Sequence, residues 1–249
     1  GVAACPVLVG DLVVQNADAD AEACIWGIEK LTGKTVWKTD RPNNRGWSTP
    51  IPVEFDGKTT LVVNSHTGVR AYDPVDGKEL WYCKSFNGRG TPTVTPGNGL
   101  LYTVNGLRGD MYAIRPGGSG DVTGSHMAWH SARSGGRDLP SPIVVGEYVL
   151  VMNMGGICSC YNAIDGKNLW HQRTPGNFSA SPIAADGKVY FLSEEGSVYV
   201  IEPGPELKVL AESKVTGASD EIFRASPTPH KGQLLLRSNK VLYCVGRKS

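Results

Sequence analysis

The sequence predicts an all-β fold made of about six copies of one four-stranded unit. Three features recur: a proline that opens each copy, a glycine-containing turn a few residues later, and a fourth strand that carries tryptophan in four copies. Runs of Val, Ile, Leu and Tyr between such turns are typical of β-hairpins. Because no stretch of helical periodicity separates the strands, we expect helical content close to nil. The opening prolines are spaced 44, 42, 50, 40 and 45 residues apart: Pro6, Pro50, Pro92, Pro142, Pro182 and Pro227.

The first and second strands of each copy are joined by a short turn. These turns are Gly10-Asp11, Asp56-Gly57, Gly97-Asn98-Gly99, Gly146-Glu147, Asp186-Gly187 and Lys231-Gly232. The third strand is predicted at residues 25–29, 69–73, 111–115, 158–162, 198–202 and 242–246. Its middle residue is small in nearly every copy, which we expect to let neighbouring sheets pack closely. The residues at this position are Gly27, Ala71, Ala113, Cys160, Val200 and Cys244.

The fourth strand closes each copy and carries Trp37, Trp81, Trp129 or Trp170, with Leu210 in the fifth copy. The longest spacing between prolines coincides with an insertion from Gly117 to Gly124, which we expect to form a flexible turn. The sixth copy ends after its third strand.

Four-stranded repeats of about 40–45 residues are typical of β-propeller blades. The sequence therefore predicts a single propeller domain over residues 1–249. Either this domain is a propeller of six blades, the last with three strands, or it is the C-terminal part of a larger propeller with seven or eight blades.

The segments Ala71 to Trp81 and Asn162 to Trp170 both end in Gly-Lys-x-Leu-Trp after a Tyr-Asp or Ala-Ile-Asp stretch. This pattern resembles the repeat of the pyrroloquinoline-quinone-like propellers, which are similar to WD40-like and YVTN-like repeat proteins. The resemblance covers essentially the whole chain. It implies that Trp37, Trp81, Trp129 and Trp170 dock against the next blade. It also implies a bacterial protein in the periplasm or outside the cell.

The resemblance leaves three functions open, because the family contains enzymes as well as scaffolds. Its quinone-dependent alcohol and sugar dehydrogenases have adjacent cysteines and a calcium ion bound by Glu and Asn, with a catalytic Asp nearby. The sequence has no Cys-Cys pair and no residues that match the calcium motif. We therefore expect no catalytic residues and no cofactor, with the quinone and calcium as the alternative. The favoured function is a non-catalytic scaffold, and a sensor domain of a larger receptor is the third possibility.

The charge balance gives no indication of nucleic acid or anionic membrane as a partner, with 25 Lys and Arg against 24 Asp and Glu. No apolar run is long enough to span a bilayer.

Cys158 and Cys160 lie two residues apart on one predicted strand, so their side chains share a face. We expect them to be buried thiols rather than half of a zinc site. His126 and His130 fall on a predicted extended strand, and we expect no metal there.

The segments that precede the opening prolines are the candidate binding site. They connect each fourth strand to the next first strand, so they are expected at one face near the propeller axis. Arg45, Asn87, Arg137 and Asn177 align at one position, and Trp47, Arg89 and Arg224 align two residues further on. Guanidinium groups there would suit a small anion or an acidic protein partner, with Trp47 and Phe178 as a stacking surface and Asp138 nearby. Alternatively, these arginines are solvated or pair with Asp40, Asp138 or Glu221.

Overall fold

The computed structural model describes residues 2–84, 88–104, 106–107, 109–133, 136–215 and 220–246. The chain forms two compact units, unit 1 at Gly1–Ser134 and unit 2 at Gly135–Ser249. Among the described residues, each unit contains three sheets built from antiparallel strands that follow one another in chain order, and one sheet of unit 1 gains a short parallel strand from a later segment.

Unit 1 contains sheets 1 to 3. Sheet 1 consists of β1 (Val7–Val9), β2 (Leu12–Ala17), β3 (Ala23–Glu29) and β4 (Thr35–Arg41). Sheet 2 contains β5 (Ile51–Phe55), β6 (Lys58–Ser65), β7 (Gly68–Tyr72) and β8 (Glu79–Lys84). Sheet 3 consists of β9 (Thr95–Gly97), β10 (Leu100–Val104), β11 (Met111–Ile114) and β13 (Met127–Ser131). The short strand β12 (Gly120–Asp121) and the helical turn α1 (Thr123–His126) lie between β11 and β13 in the chain.

Unit 2 contains sheets 4 to 6. Sheet 4 consists of β14 (Ile143–Val145), β15 (Tyr148–Met152), β16 (Ile157–Asn162) and β17 (Asn168–Arg173). Sheet 5 consists of β18 (Ile183–Ala185), β19 (Lys188–Leu192), β20 (Ser197–Glu202) and β21 (Lys208–Lys214). Sheet 6 has three strands, β22 (Thr228–His230), β23 (Gln233–Arg237) and β24 (Leu242–Gly246). These six sheets confirm the predicted all-β class and the predicted number of repeats.

The first two strands of each sheet are joined by the predicted turn, and each of these turns contains backbone in the left-handed conformation. In sheet 2, Asp56 and Gly57 have φ values of 48° and 70°, and three other turns show the same pair of positive angles. Type I′ hairpins require positive φ at both positions, and an Asp-Gly or Asn-Gly pair adopts it at the lowest cost. The tolerance of these residue pairs for positive φ therefore explains both their recurrence in the sequence and the conformation of the turns.

The hydrophobic core lies between successive sheets within each unit. In unit 1, Val14, Ile25 and Trp37 of sheet 1 pack against Leu61 and Tyr72 of sheet 2. Equivalent clusters join sheets 2 and 3, sheets 4 and 5, and sheets 5 and 6. No helix among the described residues has the length and apolar character needed to cross a membrane.

The small residue of the third strand also makes room within its own sheet, as Gly27 shows. Gly27 lies opposite Trp37 in the register of β3 and β4. A Cβ atom added at Gly27 would lie 2.3 Å from Cε2 of Trp37. The small residue thus makes room for the tryptophan ring of its own sheet.

One expectation was wrong. The insertion from Gly117 to Gly124 is not simply a turn, because β12 pairs in parallel with β8 and α1 follows it. Helical content is therefore small, limited in the described residues to the four residues of α1. Cys244, at the small position of the sixth copy, is exposed, and β24 pairs only with β23 among the described residues.

Candidate functional site

The connecting segments of unit 1 approach each other closely through glycine. Gly46 and Gly90 form a parallel bridge, and the N–H groups of Trp47 and Ser48 both donate to the carbonyl of Gly90 at 2.9 Å. A Cβ atom at Gly46 would lie 2.5 Å from Oδ2 of Asp18, and one at Gly90 would lie 2.7 Å from the backbone of Ser65. A side chain at either position would clash with its neighbour, so glycine lets the two segments approach this closely.

The structure brings Trp47 and Arg89 together in unit 1. The Arg89 guanidinium carbon lies 5.6 Å from the centroid of the Trp47 ring, and both side chains are partly exposed. Arg45 is exposed and forms an ion pair with Asp20 rather than with Asp40. Asn87 lies outside the described residues. We call Arg45, Trp47 and Arg89 the Trp47 surface.

A buried charge network in unit 1 was not found by sequence reasoning. Arg41, the last residue of β4, binds Asp18 through Nε–Oδ1 at 2.6 Å and Nη2–Oδ2 at 3.0 Å, and its Nη1 donates to the Tyr72 hydroxyl. Burial raises the pKa of Tyr72 to about 12, although Arg41 opposes this shift. Burial also lowers the pKa of Arg41, but Tyr72 and Asp18 outweigh it and hold that pKa above its ordinary value. No local spacing links Asp18 to Arg41, so the sequence carries no signal for this pair.

The connecting segments of unit 2 share one backbone arrangement. The carbonyls of Arg137, Asn177 and Ile222 accept hydrogen bonds from Met154, Glu194 and Asn239 at 2.8, 2.7 and 3.0 Å. Arg137 and Asn177 therefore occupy equivalent positions in sheets 4 and 5, and the corresponding residue of sheet 6 is Ile222.

The side chains of these segments carry mixed charge. Asn177 Nδ2 donates to Oε1 of Glu195 at 3.0 Å, and Arg224 Nε lies 3.5 Å from Oε2 of Glu194. Partial burial raises the pKa of Glu195, but hydrogen bonds from the side chain and backbone of Asn177 outweigh this effect and lower it. Arg224 thus pairs with Glu194 and not with Glu221, which accepts from the Tyr243 hydroxyl at 2.8 Å.

Two predicted site residues of unit 2 do not lie on an exposed surface. Phe178 is fully buried in the core between sheets 4 and 5, with its ring 6.1 Å from that of Tyr199. Asp138 is also fully buried. The prediction of Phe178 as a stacking surface was wrong, because its side chain points towards the core rather than outwards.

The four fourth-strand tryptophans are buried, with different surroundings. Trp37 Nε1 donates to the carbonyl of Pro74 in sheet 2 at 3.0 Å, and Trp170 Nε1 donates to the carbonyl of Gly204 in sheet 5 at 3.0 Å. Trp81 Nε1 has no acceptor among the described residues. Trp129 lies with its ring 5.9 Å from that of Tyr102.

Metal-ligating side chains do not cluster in the described part of the chain. Within the described ranges, no three His, Cys, Asp or Glu residues are placed to hold a metal ion. His130 Nε2 instead lies 3.2 Å from Oδ2 of Asp110, and its ring stacks on Tyr112 at 4.6 Å. The cysteines also lack the adjacent pair of the quinone enzymes. Four of the six are buried, namely Cys24, Cys83, Cys158 and Cys160.

Comparison with known proteins shows the fold and the family. The chain is 17% identical to BamB from Moraxella catarrhalis, with a TM-score of 0.70, covering 94% of this chain and 68% of that one. It is 12% identical to the C-terminal WD40 domain of Sif2, with a TM-score of 0.68, covering 96% and 67% of the two chains. A computationally designed protein, Ika8, is 13% identical with a TM-score of 0.69, covering 99% and 70%. None of the curated proteins matches the chain.

A model of the family described as outer membrane protein assembly factor BamB matches residues 21–152 and 107–205. These two overlapping matches cover well over half of the chain, and the predicted resemblance to the pyrroloquinoline-quinone-like propellers is confirmed. The chain therefore belongs to the BamB family of β-propellers.

Proposed function

We propose that this propeller is a non-catalytic scaffold that holds a protein partner on the Trp47 surface. The observation that carries the proposal is the Arg89 guanidinium placed 5.6 Å over the partly exposed ring of Trp47. Trp and Arg are the residue types that most often dominate protein interfaces, because they combine a large contact area with directed polar groups. The ring also holds the guanidinium in place before a partner arrives, which reduces the entropic cost of binding.

The charges favour an acidic protein surface over a small anion. Arg45 and Arg224 already pair with Asp20 and Glu194, so the two arginines offer little net positive charge to a free ion. Arg89 has the Trp47 ring beside it, and Arg137 is exposed. A partner that presents both a carboxylate and an apolar group would complement Arg89 and Trp47 together.

The family description names an assembly factor of outer membrane proteins, and this supports a scaffold role in the periplasm. A dehydrogenase would instead change the absorbance of added quinone and calcium and would reduce a dye with an alcohol substrate. We expect neither change.

Site-specific photo-cross-linking tests the scaffold role. A photoreactive amino acid at position 45, which leaves Trp47 and Arg89 in place, should yield one defined product with a protein of the source organism, and the product should disappear when Arg89→Glu is added. Arg115→Glu is the matched control, because Arg115 is exposed and directly follows β11 in the same unit. Absence of a product, or a product equally sensitive to both charge reversals, would refute the proposal.

A further inference from the structure

The two most exposed large apolar side chains of the described residues lie at the same position of two neighbouring turns. Leu31, in the turn between β3 and β4, is 85% exposed, and Val75, in the turn between β7 and β8, is 76% exposed. A scattered exposed apolar side chain is normal on a protein surface. Two of them at one position of successive turns indicate a contact surface instead.

Both turns hold the apolar residue in place through the same hydrogen bonds. A side-chain oxygen of Glu29 accepts from the N–H of Leu31 at 3.1 Å, and one of Asp73 accepts from the N–H of Val75 at 2.8 Å. A second bond closes each turn, from a glycine N–H to the carbonyl of the same acidic residue, at 2.9 Å in both turns. Because the turns are already ordered, little conformational entropy is lost when their apolar side chains are buried in a contact.

The two turns lie at the same end of unit 1. The turn after β7 passes over the first half of β4, where Trp37 Nε1 donates to the carbonyl of Pro74 at 3.0 Å. Thr39 Oγ1 also donates to the carbonyl of Gly77 at 2.7 Å. Strand β4 begins just after the turn that carries Leu31. One partner can therefore contact both turns from the same side.

A cleft of about 590 Å³ opens beside Val75. Its lining combines an apolar wall with three charged side chains; the wall includes Phe55, Val75 and Leu80, and the charged residues are Asp56, Lys58 and Asp73. Two carboxylates outnumber one ammonium group, so the cleft carries net negative charge. A group that complements this cleft presents an apolar side chain and a positive charge together.

The turn that carries Leu31 has this combination. Residues 29–34 contain two lysines, Lys30 and Lys34, against one acidic residue, Glu29, so their net charge is +1. Lys30 forms an ion pair with Asp11 at 2.7 Å, whereas Lys34 is exposed. We therefore assign the positive charge of the contact to Lys34.

We propose that two copies of this chain associate through this end of unit 1, with the Leu31 turn of each copy in the cleft of the other. Leu31 then packs on the apolar wall at Val75, and Lys34 pairs with Asp56. Because each copy supplies one turn and one cleft, the contact is self-complementary and closes as a two-fold dimer. Its area is small, so we expect dissociation in the micromolar to millimolar range. Lipid is the weaker candidate, because a myristoyl chain binds only marginally and these two side chains carry fewer apolar carbons.

Sedimentation equilibrium of the whole chain from about 10 µM to 1 mM tests the proposal. We expect the apparent mass to rise reversibly from one chain towards two, and less so at high salt. Leu31→Asp should weaken association at least about tenfold, because it removes the central apolar contact. Ile164→Asp is the matched control, since Ile164 holds the same turn position in sheet 4 and is 60% exposed. Its turn balances Asp165 with Lys167, and we expect a change within about twofold.

A charge exchange identifies the contact more closely. Asp56→Lys and Lys34→Glu should each weaken association about threefold or more, and the double variant should return to within about twofold of the wild type. Position 56 accepts lysine, because Lys231 has a φ of 46° in the equivalent turn of sheet 6, close to the 48° of Asp56.

The dimer contact is separate from the Trp47 surface. The connecting segments start from the opposite end of the sheets, so Arg89→Glu should leave association unchanged even where it abolishes partner binding. A chain that stays monomeric over the whole concentration range would overturn the proposal. Equal weakening by Leu31→Asp and Ile164→Asp, or no recovery in the double charge variant, would overturn it as well.

Discussion

Asp18 and Arg41 form an ion pair with two hydrogen bonds that is almost completely buried in unit 1. Their side chains are 4% and 1% exposed, and Tyr72 accepts a third hydrogen bond from the guanidinium. Asp18 also lies next to Gly46, so the pair supports the connecting segment that carries Arg45 and Trp47. The buried network therefore links the core to the proposed binding surface.

Removing one partner of this pair should strongly destabilise the protein. Arg41→Ala leaves the Asp18 carboxylate buried without its counter-charge, and we expect a loss of about 3–5 kcal/mol in the free energy of unfolding. Lys30→Ala is the control, because the Lys30–Asp11 pair at 2.7 Å is largely exposed and should contribute less than about 1 kcal/mol. Urea unfolding measures both, and similar losses for the two variants would show that the buried pair is not structurally important.

Replacement of the fourth-strand tryptophans by phenylalanine should separate ring packing from hydrogen bonding. Trp37→Phe and Trp170→Phe each leave a carbonyl without its donor, at Pro74 and Gly204. Each should therefore cost about 0.5–1.5 kcal/mol more than Trp81→Phe, which loses no hydrogen bond. The free energies of unfolding in urea test this order, and an equal cost for all three would contradict the assignment of Trp81 as unpaired.

Gly77 should be more sensitive to substitution than Gly57, although both have positive φ, at 73° and 70°. A Cβ atom at Gly77 would lie 2.4 Å from Cε3 of Trp37, whereas one at Gly57 would meet nothing within 4 Å. Gly57→Ala should cost about 1 kcal/mol from backbone strain alone. Gly77→Ala should cost about 1–3 kcal/mol more, because the ring of Trp37 must move. Thermal unfolding of the two variants gives the comparison, and equal stability would rule out close docking of Trp37 on this turn.

Stability should fall at alkaline pH in part through Cys160. Burial raises the pKa of this thiol from 9.0 to about 12. The folded protein therefore keeps the proton that the unfolded chain loses, so the stabilisation is complete below pH 9 and is lost as the pH rises towards 12. The slope from this one group is at most about 1.4 kcal/mol per pH unit. Cys160→Ala should make the decline in the free energy of unfolding between pH 9 and 11 shallower, and an unchanged slope would argue against a buried thiol.

Local signals made the repeats and turns predictable. Asp56-Gly57 and its equivalents combine the residue types that tolerate left-handed backbone with flanking apolar strands, so composition and conformation have one cause. The residue before each opening proline also recurs for a structural reason. The backbone N–H of Cys5 donates to Thr49 Oγ1 at 3.1 Å, and the backbone N–H of Ser181 donates to Ser226 Oγ at 3.1 Å. The recurring hydroxyl at this position therefore links one repeat to the next.

Features that depend on contacts between repeats could not be predicted. β12 has only two residues, and its partner β8 belongs to another repeat, so no periodic pattern marks it as a strand. Asp18 and Arg41 belong to one repeat, but they lie 23 residues apart and only the fold brings them together. Phe178 shares its segment with exposed Asn177, and only the packing of sheets 4 and 5 decides which of the two faces the core.

The central claim is that Trp47 and Arg89 form the contact with a protein partner. Isothermal titration of the cross-linked partner, once identified, against the wild type, Arg89→Glu and Arg115→Glu tests it most directly. We predict affinity at least about tenfold lower for Arg89→Glu, as for a central interface residue, and a change within about twofold for Arg115→Glu. Equal affinities of the wild type and Arg89→Glu would contradict the account.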